Sequence, residues 1–287
     1  MTGIGSLPFA DPAEAIRFVA ATTPEIPYWP QLPAGSRGSG MADQLIDAPG
    51  FQAFESAMDF GLFPRAIAVK GQVVGPVTLT SHTPRDAGAE RALEEPARLA
   101  AAGAAWQIER LSRFGLPVIL FVDEPSLGSL PAGELAAGGR CETAVASVLS
   151  VIRKGGALAG LHCCAPLPPS FVRRVDPDIY SFDASDGAPA FFDSSDGQAF
   201  VASGGLLALG LVRTSGAPDA RSPETIVNVW RLAAGPFSSL VEVARQSFVT
   251  PACGLGTLAP PLATEIFERA RRISERLSEI AAQSRSR

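Results

Sequence analysis

Short apolar runs in this chain end repeatedly on a polar or charged residue, and helical patterns separate them. Gly3–Ser6, Ala66–Val74, Pro117–Val122, Ala157–Leu161, Ile179–Phe182, Leu206–Val212 and Ser247–Pro251 have strand character. The first helix opens on Asp11-Pro12-Ala13-Glu14, an N-cap, a proline at the first position and an acid in the first turn, and runs through about Ala21. Further helical patterns cover 50–60, Arg85–Phe114 with Pro96 as its expected break, Glu142–Lys154, Pro223–Ala234 and 262–283. In the last of these, Ile266, Ala270, Ile273, Leu277 and Ile280 share one stripe. The proline-rich Pro24–Pro33 stretch excludes helix and leaves room for only a short extended piece. Ser36–Gly40 is rich in Gly and Ser and suits either a lid or a plain surface loop.

Alternating strands and helices demand a parallel sheet, because parallel neighbours need a crossover and a helix supplies it. Seven or eight strands in 287 residues, with no linker in mid-chain, predict one α/β domain over 1–287. The expected fold is a single (β/α)8 TIM barrel, with a doubly wound sheet as the alternative. No G-x-G-x-x-G follows a strand, which counts against a dinucleotide-binding sheet. In a barrel the active face is built at the strand C-terminal ends. There the sequence places Ser6, Asp123, His162, Cys164, Asp183 and Cys253.

Charge and composition exclude several classes. With 24 Lys+Arg against 29 Asp+Glu the chain carries a net charge of -5, which argues against nucleic acid and anionic membrane as partners. The N-terminal MTGIGSLPFADP has no basic and apolar leader, and no run of about 18 apolar residues occurs. The expectation is a soluble cytoplasmic protein with reduced thiols. Two of its four Cys are adjacent, unlike a secreted disulfide framework.

With only two His in the chain, imidazole chemistry has few candidates. His162-x-Cys164, Asp183 and Cys253 together offer one nitrogen, two sulfurs and one oxygen. That set suits tetrahedral Zn2+ at about 2.0–2.3 Å, and thiolates favour zinc over Mg2+ or Ca2+. The spacing is not a zinc finger, since no paired C-x2-C is present. Any one of these residues alone is as readily a packed cysteine or a backbone-bonded histidine. One of two His and two of four Cys at matching strand ends favours the joint reading. Cys163 alternates away and is expected behind the strand; Cys141 opens a helix and reads as structural. His82, after Gly75-Pro76, is a candidate substrate contact. Asp123 and Glu124 read either as binding carboxylates or as caps of a loop. A zinc with two thiolates suits activation of a substrate thiol, because coordination removes the thiol proton near neutral pH. Water activation more often uses His-rich sets.

Several motifs in order carry a family resemblance. They are Gly3-Ile4-Gly5-Ser6, Gly75-Pro76-Val77-Thr78, Val122-Asp123-Glu124-Pro125, His162-x-Cys164, Ser181-Phe182-Asp183-Ala184-Ser185 and Pro251-Ala252-Cys253-Gly254-Leu255. The pattern resembles the catalytic domain of cobalamin-independent methionine synthase, over nearly the whole chain. The wider superfamily includes uroporphyrinogen decarboxylase and the methylcobalamin:coenzyme M methyltransferases. The resemblance implies a zinc-dependent methyltransferase that moves a methyl group to the thiol of homocysteine and forms methionine. It implies zinc ligands His162, Cys164, Asp183 and Cys253, with Asp183 standing where the family usually has Glu. It implies amino-acid binding by Gly5 and Ser6, and an ammonium contact from Asp123. No catalytic residue is implied beyond the metal-activated substrate thiol.

Two departures bear on the methyl donor. The folate-using enzyme is over twice this length, and its N-terminal barrel has no counterpart in these 287 residues. The family also places an acid and a catalytic His near segments that here read Ser36–Met41 and Arg213–Ser215, and neither contains His. Methylcobalamin on a corrinoid protein is therefore the expected donor in place of methylfolate, because its leaving group needs no proton. The alternatives are a uroporphyrinogen decarboxylase-like enzyme, a coenzyme M-type thiol methyltransferase, and a non-enzymatic corrinoid- or metal-binding module.

Overall fold

Six of the apolar runs become strands: β1 (Val69–Val74), β2 (Val118–Asp123), β3 (Leu158–Cys163), β4 (Ile179–Asp183), β5 (Leu206–Val212) and β6 (Ser247–Pro251). All neighbours are parallel, in the order β1-β2-β3-β4-β5-β6. The computed structural model describes residues 1–32, 49–81, 92–135, 137–215, 219–237 and 239–283. Ser36–Met41 and His82 lie outside the described residues. The helices are α1 (Pro12–Thr22), α2 (Pro49–Asp59), α3 (Pro76–Ser81), α4 (Glu94–Ser112), α5 (Arg140–Lys154), α6 (Pro169–Val175), α7 (Pro189–Phe192), α8 (Ser195–Ala202), α9 (Pro223–Ala233), α10 (Leu240–Arg245) and α11 (Pro260–Ala281). Among the described residues no helix is long and apolar enough to cross a membrane.

The sheet curls into a half-barrel flanked by helices. This corrects the expected (β/α)8 barrel: the described residues do not form a closed ring of eight strands. Two segments read as extended hold only isolated bridges, Ser6 with Gln31 and Tyr28 with Lys70. Prolines explain the second segment, since Pro27 and Pro30 have no N–H to donate to a ladder. Single backbone bonds still tie the pieces together. Thr2 N donates to Val249 O of β6 at 3.2 Å, Gln31 N to Gly5 O at 3.0 Å, and Lys70 N to Pro27 O at 2.9 Å. Side chains replace part of the missing ladder. Gln72 Nε2 donates to Trp29 O at 3.0 Å, Trp29 Nε1 to Gln107 Oε1 at 2.9 Å, and Gln107 Nε2 to Gln72 O at 2.8 Å.

The helices start as their sequences dictate. Asp11 Oδ1 accepts from Ala13 N at 2.9 Å, so the α1 cap is made by the expected residue. Pro96 does not break α4. It lies in the first turn, where a missing N–H leaves no bond unmade. The stripe of α11 is buried as its period requires. Alternate strand residues serve two layers. Val118, Leu120 and Val122 join the large core, whereas Ile119 and Phe121 join a smaller cluster with Ala68, Ile179 and Ala208. Gly160 is required at its place, because a Cβ there would overlap the Phe121 ring.

Candidate metal centre

Asp123, His162 and Ser181 are register partners across β2, β3 and β4. His162 is 2% exposed. Its Nδ1 meets Ser181 Oγ at 2.9 Å, and its Nε2 meets Cys164 Sγ at 3.3 Å. Cys253 follows β6, three places along the sheet from β3, and only the curl of the sheet brings it to the same point. The donor atoms of His162, Cys164 and Cys253 lie within 4.8 Å of one another. Three of the four sequence-predicted ligands are therefore brought together.

Asp183 is not among them. Its Oδ1 accepts from Ser185 N at 2.9 Å, which caps the turn after β4. The expectation of free thiols also changes, because Cys164 and Cys253 are joined as a disulfide with their Cα atoms 5.6 Å apart. That spacing is ordinary for a disulfide, so the two loops already hold the cysteines at bridging range. Cys163 is fully buried in the large core, on the far side of β3 as its alternation requires, and Cys141 is buried at the start of α5.

Burial pushes the His162 imidazolium down to about 3, the Lys70 ammonium acts in the same direction, and the bond to Ser181 opposes them. The ring is thus neutral near pH 7, the state a metal ligand requires. Ser181 fixes the ring while Nε2 faces the sulfurs, the arrangement that orients ligating histidines.

Gly5 and Ser6 sit beside this cluster with structural duties. A Cβ on Gly5 would press on Gln72 at 2.9 Å and Gln31 at 3.0 Å. Ser6 Oγ accepts from Gly256 N at 3.2 Å, and Ser6 O accepts from Leu255 N at 2.9 Å. Ser6 therefore anchors the loop that carries Cys253.

Glu124 resolves to a cap. Its carboxylate accepts from Val77 N at 2.8 Å, Thr78 N at 2.8 Å and Thr78 Oγ1 at 2.7 Å, at the start of α3. Gly75 has no Cβ because one would overlap Glu124. The Gly-Pro and Asp-Glu-Pro motifs are thus two halves of one buried junction.

Asp123 differs. Its Oδ1 is buried and has no hydrogen-bond partner among the described residues. Burial raises its carboxyl to about 7, the Lys70 ammonium pulls it down, and Glu124 pushes it up again. The sign for stability follows. A carboxyl raised above its unfolded value contributes stability that is full below about pH 4 and is lost as pH rises through about 7. Asp123→Asn removes that loss. Its thermal midpoint is expected to exceed that of the parent at pH 8, with the gap closing toward pH 4. A gap that widens on acidification contradicts the assignment.

Lys70 is a site residue that the sequence reading missed. It is fully buried, donates from Nζ to Ile4 O and to Gln72 Oε1 (the latter at 3.1 Å), and lies 4.6 Å from the centre of the Phe121 ring. Burial lowers its ammonium to about 8, against the pull of Asp123. The signal was present: Lys70 is the one charged residue inside the apolar run Ala66–Val74. Near the β5 end, Arg213 and Thr214 line a cavity of about 260 Å³ with Asp219, Leu258 and Arg269. Arg213 is engaged with Asp186 and with Ser185 Oγ, the latter at 3.2 Å.

No protein-family model matches this chain, and no curated protein matches it at a significant level.

Proposed function

We propose that this chain is a zinc-dependent thiol methyltransferase that converts homocysteine to methionine, with methylcobalamin on a corrinoid protein as the donor. One observation carries the reading: His162 Nε2, Cys164 Sγ and Cys253 Sγ converge within 4.8 Å at the strand ends. In the dithiol state these are three zinc donors, and a catalytic zinc keeps three protein ligands and one open position. A bound Zn2+ supplies the Lewis acidity that holds a thiol ionised near neutral pH. Asp183, which stands in the place of the fourth family ligand, lies outside the converging donors and accepts from Ser185 N, so the reading rests on the three.

The chain's own residues perform the rest. Burial keeps His162 neutral, and Ser181 holds its ring. Asp123 offers a buried carboxyl oxygen, Oδ1, with no hydrogen-bond partner among the described residues, a fit for the substrate ammonium. Ser6 holds the Cys253 loop through Gly256. Arg213–Ser215 brings no imidazole to protonate a folate leaving group, which supports the corrinoid donor. The dithiol state calls for a reducing compartment, and the cytoplasm is the proposed location.

The test uses reduced, zinc-loaded protein with homocysteine or coenzyme M, each with methylcobalamin or a methylfolate. Methionine should form from homocysteine and methylcobalamin, with loss of the methylcobalamin absorbance. Methylation of coenzyme M in preference would move the substrate assignment. No thioether in any pairing would contradict the activity.

A further inference from the structure

Four cysteines are present, and only two of them are placed for redox chemistry. Cys141 and Cys163 are buried in the large core. Cys164 and Cys253 are each partly exposed, and they are the two sulfurs of the metal cluster. They follow β3 and β6, three strands apart in the sheet and 89 residues apart in sequence, yet their Cα atoms stand 5.6 Å apart and their sulfurs are joined. One backbone arrangement thus serves both a disulfide and a pair of metal ligands. The loop geometry needed for each is fixed separately: Ser6 holds the Cys253 loop, and β3 holds Cys164 two residues from His162.

We propose that Cys164 and Cys253 form a reversible thiol–disulfide couple, a modification site whose oxidised form cannot hold a metal at His162. The oxidant class is a peroxide, which reaches the partly exposed sulfurs. One thiolate sulfur attacks a peroxide oxygen, the O–O bond breaks, and the sulfur becomes a sulfenic acid. The second thiolate attacks that sulfur; the S–S bond forms, the S–O bond breaks, and the oxygen leaves as water once protonated. In sum, two thiolates, one peroxide and two protons give one disulfide and two waters. The two electrons pass from sulfur to peroxide oxygen. A disulfide sulfur is neutral, whereas the thiolate is the metal ligand. Oxidation therefore leaves His162 Nε2 as the single donor of the three. A small dithiol reverses the change by exchange.

The metal arm rests on the zinc reading above; the sulfur arm does not. The experiment treats the reduced full chain, with and without added zinc, with hydrogen peroxide, then with dithiothreitol. Thiol titration, released zinc and peptide mapping are read in each step. The proposal expects loss of two thiols, a Cys164–Cys253 cross-linked peptide, release of the bound zinc, and return of both thiols and zinc capacity after reduction. A Cys163→Ala variant should behave like the parent. A cross-link through Cys163, sulfinic acid in place of a disulfide, or zinc retained after thiol loss would overturn the proposal. Reduced protein that binds no zinc but forms the reversible cross-link would sink the metal reading and keep the couple. Bound zinc with no cross-link would do the reverse.

Discussion

Replacing Cys253 with serine is expected to strip the reduced protein of its metal. A serine hydroxyl stays protonated near neutral pH where the thiolate would bind, so one of three donors is lost from an already open site. Zinc retained after gel filtration should fall from about one per chain to near none, and methyl transfer should fall with it. His162→Ala should give the same loss, because it removes the nitrogen donor. Ser181→Ala should weaken metal affinity by about 10–100-fold, the cost typical of an outer partner that orients a ligand. Asp183→Asn is the informative control. Its carboxylate caps Ser185 N–H and stands outside the cluster, so zinc content should not change. Loss of zinc in Asp183→Asn with retention in His162→Ala would reverse the assignment.

Glu124→Ala is expected to cause the largest loss of stability. Three buried donors, Val77 N, Thr78 N and Thr78 Oγ1, lose their acceptor together. Each orphaned donor costs about 1–3 kcal/mol, so the sum is about 3–9 kcal/mol, a large share of a typical domain's stability of about 5–15 kcal/mol. The truncation also opens space beside Gly75, where the carboxylate now packs. The urea midpoint should drop sharply for Glu124→Ala and less for Glu124→Gln, which keeps one acceptor. An unchanged midpoint in Glu124→Ala would show that the junction does not hold α3.

The strands and their polar ends were legible because burial on both faces writes a parallel strand as an apolar run, and the run stops at the strand's C-terminal end. That rule located His162, Cys164 and Cys253 without knowledge of the curl that unites them. Asp183 also stands at a strand end but does not join that cluster; its Oδ1 accepts from Ser185 N–H two residues on. Short side chains at strand ends compete with nearby backbone in this way, and spacing alone does not show which wins.

The missing strands have a different cause. Gly3 and Gly5 leave room for Tyr28 and Gln72, and prolines interrupt the next segment, so extended chain is present without a ladder. Periodicity reports extended backbone and cannot report whether each N–H finds a partner. Lys70 was readable as an anomaly, a charge in an apolar run, but its burial becomes plain only when Ile4 O and Gln72 close around it. The pairing of Cys164 with Cys253 depends on a contact 89 residues apart, which no local pattern encodes.

The most direct test of the metal centre is zinc X-ray absorption on the reduced full chain. The expected shell has two sulfurs near about 2.3 Å and nitrogen near about 2.0–2.1 Å, unchanged in Asp183→Asn and lacking one sulfur in any zinc left on Cys253→Ser. A shell of oxygen and nitrogen alone, or reduced protein that retains no zinc, would contradict it.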